Sequence, residues 1–343
     1  MSCTRAGVIG LQTSIFLRQA GYDVVILAKH FPGDKSIEYT SPWAGAHWRS
    51  HASKTDFEQQ SWDTETYKHM LYIIEQESVG SGACPRSGLA LRNASTEAPW
   101  YSTMVLDYED VPNSSLEQGI YHGHTYTSIM INAPMYLNYL LEHARQLGVH
   151  VIEGELPSCS NIRDRNRRPV SAFVNATGIS ALDFVPDPNI YPTRGQTVTV
   201  AGQAKQITTI EADSSHHGTA TPIMYILPRP DSNLTILGGT KDVGNWSQDP
   251  DPEVTWEILR RAKQWAPELL NAQGEFDVRS VQVGLRPSRK GGVRVEVEGI
   301  DGLVVCHAYG HAGAGYQNSV GSANKVVQLL LNQFATAGTV SKV

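Results

Sequence analysis

The sequence predicts an α/β protein: a doubly wound domain, discontinuous in the chain, that carries an inserted α+β domain. Three observations lead there. Units of glycine turn and helix beside an apolar strand stand at both ends of the chain, over residues 7–28 and 302–334. β-type runs crowd residues 194–240 between them, and the chain shows no internal repeat or low-complexity tract. A parallel sheet interrupted by an antiparallel insertion is the arrangement that satisfies all three.

Taken in order, residues 7–20 (GVIGLQTSIFLRQA) place Val8, Ile9, Leu11, Ile15, Phe16 and Leu17 at helical spacing, and Gly21 ends the helix. Residues 23–28 (DVVILA) form a short apolar run rich in β-branched side chains, which predicts a buried parallel strand. Residues 29–52 read as a polar loop, 56–77 as a helix, and the tyrosine-bearing stretch 100–130 as strands. An amphipathic helix over 131–149 closes at Gly148. Residues 150–172, with the basic run NIRDRNRRP, match no core element. SAFVNATG (171–178) reads as a strand entering a tight turn; QTVTV, MYILP and LTILGG read as further strands; 256–269 reads as a helix. The C-terminal unit is strand, glycine-rich turn, then a helix from near Gln317. Only Met1–Arg5 precede the first turn, so the opening βαβ unit is expected to lack its first strand.

A chain of 343 residues with 41% apolar side chains can bury one large domain or two ordinary ones. A formal net charge of −6 argues against a general nucleic-acid binder. The cysteines Cys3, Cys84, Cys159 and Cys306 form neither a CxxC pair nor a disulfide framework. No apolar run nears the roughly 20 residues of a membrane span, and no signal-peptide core is seen. Ser341-Lys342-Val343 is similar to the peroxisomal tripeptide Ser-Lys-Leu, giving a peroxisomal or cytoplasmic expectation.

Three motifs carry chemistry. The dinucleotide fingerprint G-x-G-x-x-G falls on Arg5, Gly7 and Gly10: its second and third glycines are present, its first is arginine. The following strand should end in an acidic residue for the adenosine ribose, yet it ends in Lys29-His30. HAYGHAGAGYQNS (307–319) sets small residues before a helix start, where backbone N–H groups favour negative or electron-rich centres. In GLRPSR (284–289), Pro287 drives Arg286 into an extended conformation, and its guanidinium suits bidentate binding of a carboxylate.

GVIGL, AKHFPGD, EYTSPWAGAHW, INAPMYL, VNATG, RGQTV, MYILPRP, LGGT, GLRPSR and HAYGHAGAGYQ, in this order across nearly the whole chain, resemble the fungal-type D-amino-acid oxidase and D-aspartate oxidase family. The resemblance implies an FAD enzyme with a Rossmann-like domain (1–50, 131–195, 300–343) and a mainly substrate-binding domain (51–130, 196–299). It implies oxidation of D-amino acids by molecular oxygen to 2-oxo acids, ammonia and hydrogen peroxide. Arg286 and Tyr225 then match the α-carboxylate clamp, and the Gly313 carbonyl matches the amine acceptor. Gly7, Ile9 and Gly10 match the pyrophosphate turn, and Lys29 and His30 the adenosine end. Thr40, Ser41, Gly45 and Ala46 match the loop along the flavin, and Ala312, Gly315, Tyr316 and Gln317 its pyrimidine edge. After GGT stands Lys241, with His47, Arg49 and the His216-His217 pair aligned nearby, a basic set that suits a second substrate carboxylate. Neither metal nor membrane nor nucleic acid is implied, and a homodimer stays open. Two alternatives stand beside this reading. One is an inactive interaction protein that binds FAD weakly or not at all for want of the first strand. The other is a glycine- or sarcosine-oxidising relative, which GLRP with Tyr225 argues against.

Overall fold

The computed structural model describes residues 1–76, 80–93, 97–155, 158, 170–211 and 223–340. The basic segment 161–168, the His216-His217 pair and Ser341-Lys342-Val343 lie outside the described residues. A six-stranded sheet is formed, in spatial order, by Arg294–Ile300 (β14), Leu303–Tyr309 (β15), Ala172–Asn175 (β7), Ser2–Thr4 (β1), Val25–Ala28 (β2) and His150–Glu153 (β6). Helices Val8–Gln19 (α1), Phe57–Gln76 (α2), Ala133–Gln146 (α3) and Ser319–Val340 (α5) go with it; α1 packs on α3 and α5, and α2 on α5. Ile26, Phe173 and Val174 are fully buried, as strands covered by helices on both faces require.

The expected loss of the first strand is corrected. Ser2, Cys3 and Thr4 pair in parallel with Val25, Ile26 and Leu27 on one side. On the other they pair with Phe173, Val174 and Asn175. A ladder is made by main-chain groups, so a short segment without an apolar run can complete it between two apolar neighbours. Arg5 N–H extends the ladder to the Leu27 carbonyl at 3.1 Å. Arg5 then turns with φ 75°, the left-handed conformation that the fingerprint's first glycine ordinarily supplies.

The second sheet is formed by Asp242–Val243 (β12), Ile190–Ala201 (β8), Leu234–Gly238 (β11), Ile223–Arg229 (β10), Ile207–Glu211 (β9), Ala83–Arg92 (β3), His122–Ile131 (β5) and Glu109–Asp110 (β4), in that order. Val278–Arg289 (β13) also pairs with β8. Helix Pro252–Trp265 (α4) covers β8, β10 and β11, and Asp251 caps it by accepting the Glu253 and Val254 N–H groups. The stretch 100–130 is strand only in β4 and β5, with 3-10 turns at Trp100–Thr103 and Asn113–Ser115. The polar 150–153 segment is the edge strand β6, where partial exposure tolerates its composition. β3 escaped the sequence reading because ACPRSGLALR carries proline and glycine and is half exposed.

Candidate functional site

The two sheets enclose a cleft of about 920 Å3, lined from the Arg5–Ile9 turn to Arg286 and Lys241. At the turn, Gly7 caps α1, and a Cβ there would sit 3.0 Å from Ser41 Oγ. Ser41 Oγ accepts the Val8 N–H at 3.1 Å. Helix starts carry N–H groups without intrahelical partners, so this end favours an anion. Gly10 does not line the cleft; it lets α1 approach the strand end, since a Cβ there would lie 2.1 Å from the Arg5 carbonyl oxygen. Arg5 itself lines the cleft and donates to Ser180 Oγ at 2.5 Å, while its Nη1 is buried without a hydrogen-bond partner. Burial lowers its affinity for a proton, against the nearby Glu38 and Glu155. A dinucleotide pyrophosphate is the kind of group that fits an open glycine turn, a helix N-terminus and an orphaned guanidinium N–H.

Arg286 and Tyr225 enter the cleft from β13 and β10. Arg286 Nη1 donates to the Thr240 carbonyl at 3.0 Å. Residue 195 on β8 must be glycine here: a Cβ would lie 2.5 Å from both Arg286 Nη1 and Nη2. Tyr225 pairs in register with Gly238, and a Cβ there would stand 2.3 Å from the tyrosine ring. The turn of 310–317 is tied to β13 by the Ala312 N–H, which donates to the Pro287 carbonyl at 2.9 Å, with Ala312 itself at φ 49°. This tie brings Gly313 beside Arg286.

Thr40, Ser41, Gly45 and Ala46 line the same cleft, as do Ala312, Gly315, Tyr316 and Gln317. Thr40 Oγ1 donates to the Leu285 carbonyl at 2.8 Å, and Tyr316 OH to the Ser41 carbonyl at 2.9 Å. Two imidazole nitrogens, His47 Nε2 and His311 Nε2, are buried there without partners. Burial holds His311 down at about 4, and burial with the Arg49 charge holds His47 at about 3, so both rings are neutral at physiological pH.

At the far end Lys241 is exposed and makes no ion pair among the described residues. Arg49 is buried and paired with Glu211 Oε1, whose Oε2 holds Arg92 Nε at 3.2 Å. Arg49 is therefore already neutralised, and the basic set read from sequence reduces to Lys241 and the residual charge of this triad. Lys29 and His30 do not line the cleft; both sit on Glu38. Sequence reading missed Arg5, Glu38 and Glu211. The glycines of RGQTV and LGGT gave the one available signal, as positions where a neighbour needs space.

A glycine turn on a parallel sheet, facing an arginine and a tyrosine across a cleft, defines a dinucleotide-dependent enzyme with a separate substrate sheet. The model of the FAD-dependent oxidoreductase family matches residues 6–329. The chain belongs to this family, whose members use FAD. It is 36% identical to a D-amino-acid oxidase of Schizosaccharomyces pombe, over 97% of this chain and 96% of that one. It is 33% identical to a D-amino-acid oxidase of Fusarium vanettenii, over 95% and 94% of the two chains. It is 31% identical to a D-aspartate oxidase of Cryptococcus neoformans, over 94% of each. Among solved structures, glycine oxidase from Geobacillus kaustophilus superposes with a TM-score of 0.73 at 17% identity, covering 96% and 94%; this likeness is one of fold. The inactive reading rested on an absent strand that is present, and these curated relatives are named as enzymes. Among the described residues no helix is long and apolar enough to cross a membrane, and no side-chain cluster could hold a metal.

Proposed function

We propose that the chain oxidatively deaminates D-amino acids: a D-amino acid, oxygen and water give a 2-oxo acid, ammonia and hydrogen peroxide. The meeting of Arg286, Tyr225 and the Gly313 turn in one cleft with the dinucleotide turn carries this reading. FAD supplies the acceptor for the hydride that leaves the substrate Cα. Arg286 binds the α-carboxylate through its planar fork, Tyr225 OH adds a donor, and the Gly313 carbonyl accepts from the amine. Together they fix which face of Cα points across the cleft, and hence the D configuration. His47 and His311, held neutral, take no proton from an ammonium at neutral pH, so positioning is the protein's contribution. Gly7, Ile9 and Gly10 form the pyrophosphate turn, and Thr40, Ser41, Gly45, Ala46, Ala312, Gly315, Tyr316 and Gln317 surround the flavin. The test is the visible spectrum of the purified protein under anaerobic conditions. Flavin bands bleached by D-alanine and left by L-alanine are the expected result; bands indifferent to both overturn the reading.

Acidic side chains are part of the proposed range. With Arg49 bound by Glu211, Lys241 is the cation at that end left to meet a second carboxylate. Lys241→Ala should lower kcat/KM for D-aspartate about tenfold, the scale of one charge-assisted contact, and leave D-alanine within twofold. Equal changes for the two substrates would remove Lys241 from specificity.

A further inference from the structure

Adenosine presents a vicinal pair of ribose hydroxyls, two donors that a carboxylate receives best. In the Rossmann pattern that carboxylate ends the second strand. Here β2 ends at Ala28 and Lys29 follows, and an ammonium cannot accept a hydrogen bond.

We propose that Glu38 supplies this carboxylate and receives the adenosine ribose of FAD. Among the described residues only Glu38 and Glu211 bring carboxylates to the cleft, and Glu211 is taken by Arg49 and Arg92. Residues 36–41 are laid across the dinucleotide turn. Trp43 Nε1 donates to the Ser36 carbonyl at 3.1 Å, Tyr39 OH to the Ala6 carbonyl at 2.5 Å, and Ser41 Oγ accepts the Val8 N–H. Glu38 thus sits on a segment anchored on both sides and turned toward the end of β2. Its two oxygens are not used alike. Oε2 takes both cations, Lys29 Nζ at 3.2 Å and His30 Nε2 at 3.3 Å, while Oε1 has no hydrogen bond to any described residue. His30 is itself fixed by Asp34, 2.5 Å from its Nδ1. Lys29 and His30 are therefore positioning residues: they hold one oxygen and leave the other facing the cleft.

The inference rests on FAD binding alone and is independent of the substrate. It is tested by FAD release from the diluted holoenzyme, followed by the recovery of flavin fluorescence. Glu38→Ala should raise the FAD dissociation constant at least tenfold. Glu155→Gln, which removes the other carboxylate on Lys29 (3.3 Å) without touching the cleft, should leave it within twofold. The natural protein should bind FAD carrying 2′,3′-dideoxyadenosine at least tenfold more weakly than FAD, and Glu38→Ala should not distinguish the two. A carboxylate that only balanced Lys29 and His30 predicts the opposite sign, because its loss would leave two cations free near an anionic cofactor. Unchanged or tighter binding by Glu38→Ala overturns the inference. So does equal binding of the two forms by the natural protein, a measurement that needs no variant to fold.

Discussion

Arg286 has room for its guanidinium because residue 195 has no side chain. β13 and β8 are paired so that Gly284 faces Gly195 and Arg286 faces Thr193. The side chain of Arg286 then folds back over residue 195, and Gly195→Ala would set a methyl 2.5 Å from Nη1 and Nη2. The obstructed atoms are the end of a flexible chain, so the fold should survive with Tm changed by no more than a few degrees. The clamp should not. Charged hydrogen bonds contribute about 1.5–3 kcal/mol, so KM for D-alanine should rise roughly 10- to 100-fold. Steady-state kinetics beside a melting curve separates the two effects; an unchanged KM in a folded variant would show that Arg286 does not hold the carboxylate. GLRPSR announced this arginine in the sequence, because proline fixes the extended backbone before any tertiary contact is known. Glu38 and Glu211 could not be read that way. Each lies in a polar stretch without periodicity, and each is defined by partners 8 to 162 positions distant in the chain.

At the scale of elements, the first turn and α1 depend on one close approach. Gly10→Ala would place a methyl 2.1 Å from a main-chain oxygen of Arg5, which cannot rotate away. Either α1 moves off the sheet or the Arg5 turn opens. The variant should lose about 3 kcal/mol of stability, the upper part of the range for overpacking, and leave gel filtration with less than one FAD per chain. Full FAD content and an unchanged melting point would show that α1 can shift without cost. The helix was legible from its apolar spacing, and β2, β7 and β15 from buried β-branched runs. β1 was not, because Ser2–Thr4 is defined by the strands beside it and carries no pattern of its own. β3 and β13 were missed for a related reason. Long antiparallel strands with one face partly exposed admit arginine, proline and glycine, and those residues read locally as loop.

At the scale of the molecule, the two sheets are joined through Asp63. Its side chain, fully buried on α2, accepts from Asn318 Nδ2 at 2.5 Å and Gln317 Nε2 at 3.4 Å, at the start of α5. Its backbone carbonyl accepts the Trp48 indole N–H at 3.0 Å, and Trp48 N–H in turn donates to Ile129 of β5 in the second sheet. One carboxyl oxygen, Oδ2, has no partner. Burial pushes this carboxyl up from 3.8 to about 7. A raised acid binds a proton in the folded state that the unfolded chain has already released, so stability falls as pH rises from about 4 to about 7 and stays reduced above that. At roughly 1.4 kcal/mol per unit the difference is on the order of 2–4 kcal/mol. Asp63→Asn keeps an acceptor for Asn318 and removes the charge. With saturating FAD, its melting point should exceed that of the natural protein by several degrees at pH 8 and by little or nothing at pH 4.5. A difference between the two proteins that is the same at both pH values would mean that Asp63 is ionised throughout, and that the joint between the sheets is an ion site and not a protonated one.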